Sequence, residues 1–80
     1  MFFSRNKKPN IRVIFGRSDD NVSITNPEYF DLASDLPRPM VGETIALLNT
    51  AGIEIFGRVI SINTSYAYNR IDLLTAEIVR

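Results

Sequence analysis

Three β-prone runs, Glu43 to Leu48, Ile53 to Ile62 and Ile71 to Val79, follow one another so closely that only turns fit between them. Asn49-Thr50-Ala51-Gly52 separates the first two, and Asn63 to Arg70 separates the second and third. β-Branched and apolar residues in runs of this length, punctuated by such turn residues, predict an antiparallel three-strand meander. Ile53 and Ile55 share one face of the middle run, whereas Ile60 and Ile62 beyond Gly57 have the opposite parity. Gly57 is therefore read as a bulge or bend. The last run shows the same change, with Ile71 and Leu73 on one face and Leu74, Ala76 and Ile78 on the other. Strands that exchange faces suit a sharply curved small barrel.

The first half reads less plainly. Residues 1–10 form a basic arm, polar from Ser4 onward around Arg5, Lys7, Lys8 and Pro9 and expected to be flexible, and residues 11–80 make a single β-rich domain. Ile11, Val13 and Phe15 alternate with the outward Arg12, as a half-buried strand requires. Gly16 and Ser18-Asp19-Asp20-Asn21 supply turn chemistry, with Val22 and Ile24 on the returning arm of a hairpin. Asn26-Pro27-Glu28 then predicts a helix start: a capping Asn, proline at the first helical position and an acidic residue against the dipole. Pro37 and Pro39 confine that helix to one or two turns, from Pro27 to about Ser34. The expected fold is mainly β: a small SH3-like or partly open β-barrel of about five strands, with one short helix between strands 2 and 3. Leu36-Pro37, Val41-Gly42-Glu43-Thr44-Ile45 and Gly57-Arg58-Val59-Ile60 carry the similarity to SH3-like small barrels.

Eighty residues, 45% apolar and 22% charged, make one globular core and no more. Small domains are usually reinforced by a disulfide, a metal or a partner subunit. The chain has no cysteine and no histidine, which leaves only oxygen ligands for a metal and makes self-association the expected device. A homo-oligomer is predicted.

Nine basic and nine acidic side chains cancel, so general nucleic-acid binding is disfavoured. The apolar Met1 to Phe3 precedes the charges, the reverse of a signal peptide, and no run approaches the ~20 apolar residues of a membrane span. A soluble, cytoplasmic protein with no membrane partner is expected.

Catalysis is not expected. The usual general base and the thiol nucleophile are both missing, and the two lysines lie in the arm. Asp19-Asp20-Asn21 lacks the spaced acidic ladder of a calcium loop and reads as a solvated turn, so no metal and no cofactor is assigned. Asn21 to Asn26, with Arg12 and Arg17 upstream, faintly resembles the cyclic-dinucleotide motif of PilZ domains. The arginines stand one residue too far apart and Asn26 replaces the family's glycine, so membership is not assigned.

One cluster carries binding chemistry. Tyr66, Tyr68 and Arg70 occupy alternate positions and project together if the connection is extended, with Arg58 able to join them across the hairpin. Two rings beside a guanidinium can stack a base and grip a phosphate, and can equally serve as a protein-binding hot spot. The first expectation is a non-enzymatic binding protein that captures a small anionic, nucleotide-type ligand. The alternative is a protein interaction module or an inhibitor of a host protein, and a structural subunit is third. Compact neutral domains of this kind are familiar among bacterial and bacteriophage accessory proteins. The competing structural role for the tyrosines is to cover the open end of the barrel.

Overall fold

The structure, a computed structural model, describes residues 10–32 and 37–79. Five strands follow in chain order: β1 (Asn10–Arg17), β2 (Thr25–Leu32), β3 (Thr44–Leu48), β4 (Glu54–Ser65) and β5 (Arg70–Glu77). They form one sheet in the order β2-β1-β5-β4-β3, curled into half a barrel with β2 and β3 at its two edges. The meander expected of the second half is present as β3, β4 and β5, antiparallel throughout.

The pairing that joins the two halves is parallel. β1 lies beside β5 in unbroken register from Asn10↔Arg70 to Gly16↔Ala76. Parallel neighbours need a long connection, and here the whole of β2, β3 and β4 intervenes, so the chain passes from the β2 edge to the β3 edge between them.

The expected helix from Pro27 to Ser34 is a strand instead over its described residues, and Ala33 and Ser34 lie outside them. Asn26 takes the left-handed conformation, φ 48°, and the ladder between β1 and β2 gains one residue on the β2 side between Arg17↔Thr25 and Phe15↔Glu28. Asn-Pro here makes a β-bulge rather than a helix cap. Asn is among the few side chains that tolerate that φ, and proline is tolerated on an edge strand. Past the bulge, Phe30 and Leu32 alternate inward against Val13 and Ile11, a period that pairing with β1 rewards and a helix would break. Val22 and Ile24, expected on the returning strand, lie in the loop before it.

The loop is held by Asp20, whose carboxylate accepts the N–H groups of Val22 and Ser23, both at 2.9 Å, and the Ser23 hydroxyl at 3.0 Å. These donors hold the Asp20 pKa down at about 2.

The concave face carries the core. Val13, Phe15, Leu47, Ile71 and Leu73 are buried there, flanked by Ile11, Phe30, Leu32, Ile45, Ile55 and Ile62. Phe15 and Phe30 meet edge to face, with centroids 6.1 Å apart. The parity change in β4 is real, but its bulge lies between Val59 and Ser61 rather than at Gly57. Gly57 instead makes room for the Phe15 ring, since a Cβ there would stand 2.5 Å from Thr75 Cγ2 and 2.7 Å from Phe15 Cε2. β5 does not exchange faces. Its odd residues Ile71, Leu73 and Thr75 stay concave, while Leu74 and Ala76 are apolar positions on the convex face. No helix among the described residues is long and apolar enough to cross a membrane. Of the expected arm, only Asn10 is described; it opens β1, donating its N–H to Asn69 O at 3.0 Å.

Candidate functional site

The residues singled out in the sequence do not form one group. Tyr66 to Asn69 is a tight turn rather than an extended platform: Asn69 donates to Tyr66 O, and its φ of 49° reverses the chain. Tyr66, 92% exposed, stands at the tip of the β4–β5 hairpin. Tyr68 and Arg70 do meet, with the guanidinium 5.5 Å from the ring centroid. Arg58 does not join them. It pairs with Ala76, whereas Arg70 pairs with Ser65, and that span of β5 separates the two by ~20 Å at ~3.3 Å per residue. Arg58 lies instead in a shallow cleft with Asn21, Val41, Gly42, Val59 and Ile60.

The convex face supplies what the sequence does not show. Parallel register sets Arg12 directly beside Asp72, and antiparallel register sets Asp31 on the other side of Arg12. Arg12 Nε and Nη2 donate to the two Asp72 oxygens at 3.2 and 3.3 Å, a bidentate clamp. Arg70 Nε is 3.0 Å from Asp72 Oδ1. It makes an ion pair there without the alignment of a hydrogen bond. Each arginine also lies over a tyrosine ring, Arg12 on Tyr29 at 4.9 Å and Arg70 on Tyr68 at 5.5 Å.

The result is a continuous row, Tyr29, Arg12, Asp72, Arg70 and Tyr68, across three strands. Asp72 is its pivot, with a side chain only 13% exposed. Planar guanidiniums fixed by a carboxylate and stacked on aromatic faces have surrendered their rotamer freedom before any partner arrives. With Asp72 between the two arginines and Asp31 beside Arg12, the charges on this face balance. The rings remain available, since Tyr29 is exposed and Tyr68 is 73% exposed.

The sequence signal for Arg12 is its outward parity in β1. Asp72, between Ile71 and Leu73, has the same outward parity, but nothing local announces that β1 and β5 are neighbours.

The second cleft, about 290 Å³, lies on the concave side between the sheet edges, lined by Ile11, Leu32, Pro37, Pro39, Ile45, Ala46 and Leu47. It is apolar and includes none of the tyrosines or arginines above. Compared with known protein families, curated proteins and solved structures, the chain matches none.

Proposed function

We propose that the protein is a non-enzymatic interaction module whose contact surface is the convex row Tyr29, Arg12, Asp72, Arg70 and Tyr68, extended by Tyr66 at the hairpin tip. The observation that carries this reading is the convergence of two arginines on Asp72, each lying over an exposed tyrosine ring. Tyrosine and arginine are the residues most enriched at binding hot spots, and a preset side chain loses less entropy on binding. The surface is open and convex, which suits a macromolecular partner better than a small molecule.

Capture of a small nucleotide-type anion is the second reading. It is favoured by the Arg70 guanidinium beside the Tyr68 ring, whose Nε has no aligned hydrogen-bond acceptor. Against it, Asp72 takes up Arg12 Nε and Nη2, lies 3.0 Å from Arg70 Nε and would repel a phosphate.

Site-specific photocrosslinking separates the two. A photoreactive residue at Tyr66 or Tyr29, in extracts of the source cells, should give one saturable protein adduct that is lost on Arg12→Ala combined with Arg70→Ala. The same probe at Ile55, on the concave face, should give none. Adducts of equal strength at all three positions would end the proposal. Saturable binding of a nucleotide that perturbs Tyr68 and Arg70 amide signals, without a protein adduct, would establish the second reading.

A further inference from the structure

The two edges of the sheet are chemically unequal. β2 carries the Asn26-Pro27 bulge and the charges of Glu28 and Asp31, features that keep an edge from pairing. β3 has none of these. Thr44-Ile45-Ala46-Leu47-Leu48 contains no charge, proline or bulge, and β3 pairs only with β4 among the described residues.

The hydrogen bonds around β3 fix which of its backbone groups are used. Val59 donates to Glu43 O and Asn49 donates to Ile53 O. In an antiparallel ladder bonded pairs recur every second residue, so Glu43, Ile45, Leu47 and Asn49 turn their N–H and C=O toward β4. Thr44, Ala46 and Leu48 turn theirs outward. Pro37 and Pro39, which line the apolar cleft together with Ala46, have no N–H to offer that edge.

We infer that β3 is a self-pairing edge, and that two copies join β3 to β3 antiparallel about a twofold axis through Ala46, making one continuous ten-stranded sheet. The register follows from the phase. With Ala46 opposite its own copy, Thr44 faces the second copy's Leu48, and these three outward-turned residues are the ones an antiparallel ladder bonds. Ile45 faces the second copy's Leu47 between them, where side chains stand closest, on the apolar concave face. Charge is compatible, since Glu43 faces the second copy's Asn49 and no like charges oppose. Leu48, 65% exposed, would be covered, together with residues beside it. A second copy is favoured over a foreign strand because the segment is complementary to itself in hydrogen-bond phase, charge and side-chain pattern at once. This assembly is separate from the convex row and does not depend on it.

Sedimentation equilibrium over a concentration series is the test. The wild type should form a species of twice the 9.1 kDa chain mass. Ala46→Pro deletes an outward N–H and takes nothing from the β3–β4 ladder, so it should leave a folded monomer with the dissociation constant raised at least tenfold. Ala46→Lys and Ala46→Glu should each do the same by opposing like charges at the axis, and an equimolar mixture should restore the dimer. Hydrogen exchange should show Ala46 and Leu48 amides gaining protection with concentration while Ile45 and Leu47 stay protected throughout. A wild-type monomer at high micromolar concentration, a dimer indifferent to all three substitutions, or a mixture that fails to restore pairing would overturn the inference. Monomers whose Ala46 amide is protected only by an added foreign strand would overturn it as well, assigning the edge to another partner.

Discussion

Placing an alanine at Gly57 tests how tightly the half-barrel is curled. The backbone there does not lie in the left-handed region, so an alanine incurs no φ penalty. On propensity alone, Gly57→Ala should stabilise a strand by roughly 0.5–1 kcal/mol. The structure predicts the opposite sign. The added methyl would lie 2.5 Å from Thr75 Cγ2, 2.7 Å from Phe15 Cε2 and 3.1 Å from Ala76 O. Thr75 is fully buried and its hydroxyl is tied to Leu73 O at 3.2 Å, so it has nowhere to turn. Phe15 can retreat only by giving up its edge-to-face contact with Phe30. Overpacking of this kind costs ~1–3 kcal/mol, and two contacts below 3.0 Å set this site in the upper half of that range, so a net loss of about 1–2 kcal/mol remains after the propensity gain. Valine at the same place should cost more. For a domain of this size each ~1 kcal/mol moves Tm by ~4–8 °C, so Gly57→Ala should lower it by about 4–16 °C. Urea denaturation followed by circular dichroism gives the free energy directly. Phe15→Leu should recover part of the loss in a double-mutant cycle, because it withdraws the ring the methyl strikes. A Tm raised by Gly57→Ala, or additive double-mutant energies, would show that Phe15 does not lie over Gly57.

Removing the pivot of the convex row by Asp72→Ala leaves Arg12 and Arg70 facing one another. It should cost about 1–2 kcal/mol in urea unfolding, a modest figure because both arginines are partly in solvent; no loss would mean the clamp is not formed in solution. At Asn26, φ 48° predicts that Asn26→Gly is close to neutral while Asn26→Val loses ~1–2 kcal/mol, and equal melting points for the two would refute the bulge. The Asp20 carboxyl has a folded-state pKa of about 2 against 3.8 in the unfolded chain, so its stabilisation is complete above pH ~4 and drains away as pH falls toward 2. The gap in urea midpoint between wild type and Asp20→Ala should therefore be constant from pH 4 upward and close between 4 and 2; a gap of constant size down to pH 2 would contradict the loop hydrogen bonds.

The parts of the fold that are legible in the sequence are those whose information is local. The β3–β4–β5 meander follows from β-branched runs and the turns between them, and the break in β4 announces itself as a change of parity at Ile60 and Ile62. The position of the bulge is not legible in the same way, because Gly57 is the obvious punctuating residue and yet serves to accommodate Phe15 from a strand two places away. No local pattern records that contact. Asn26-Pro27-Glu28 satisfies the chemistry of a helix start and of a bulge equally well, and only the availability of β1 as a partner decides between them. The leucine and alanine at positions 74 and 76 resemble a second change of face, whereas β5 is apolar on both faces because it lies in the middle of the sheet. The candidate site follows the same division. Tyr68 and Arg70 are close in sequence and meet in space, while Arg58 belongs to a hairpin whose register sets it at the far end. Arg12 and Asp72, sixty residues apart, meet through a parallel pairing that depends on the whole topology.

The most direct test of the convex row as a contact surface is a double-mutant cycle on partner binding. Once the crosslinked partner is isolated, its dissociation constant is measured against wild type, Arg12→Ala, Arg70→Ala and the double variant, with circular dichroism confirming that each is folded. Two arginines preset on one carboxylate predict weakening of about tenfold or more for each single variant and non-additive energies in the cycle, since both act through Asp72. Unchanged affinity in the double variant would contradict the claim that this row is what the protein binds with.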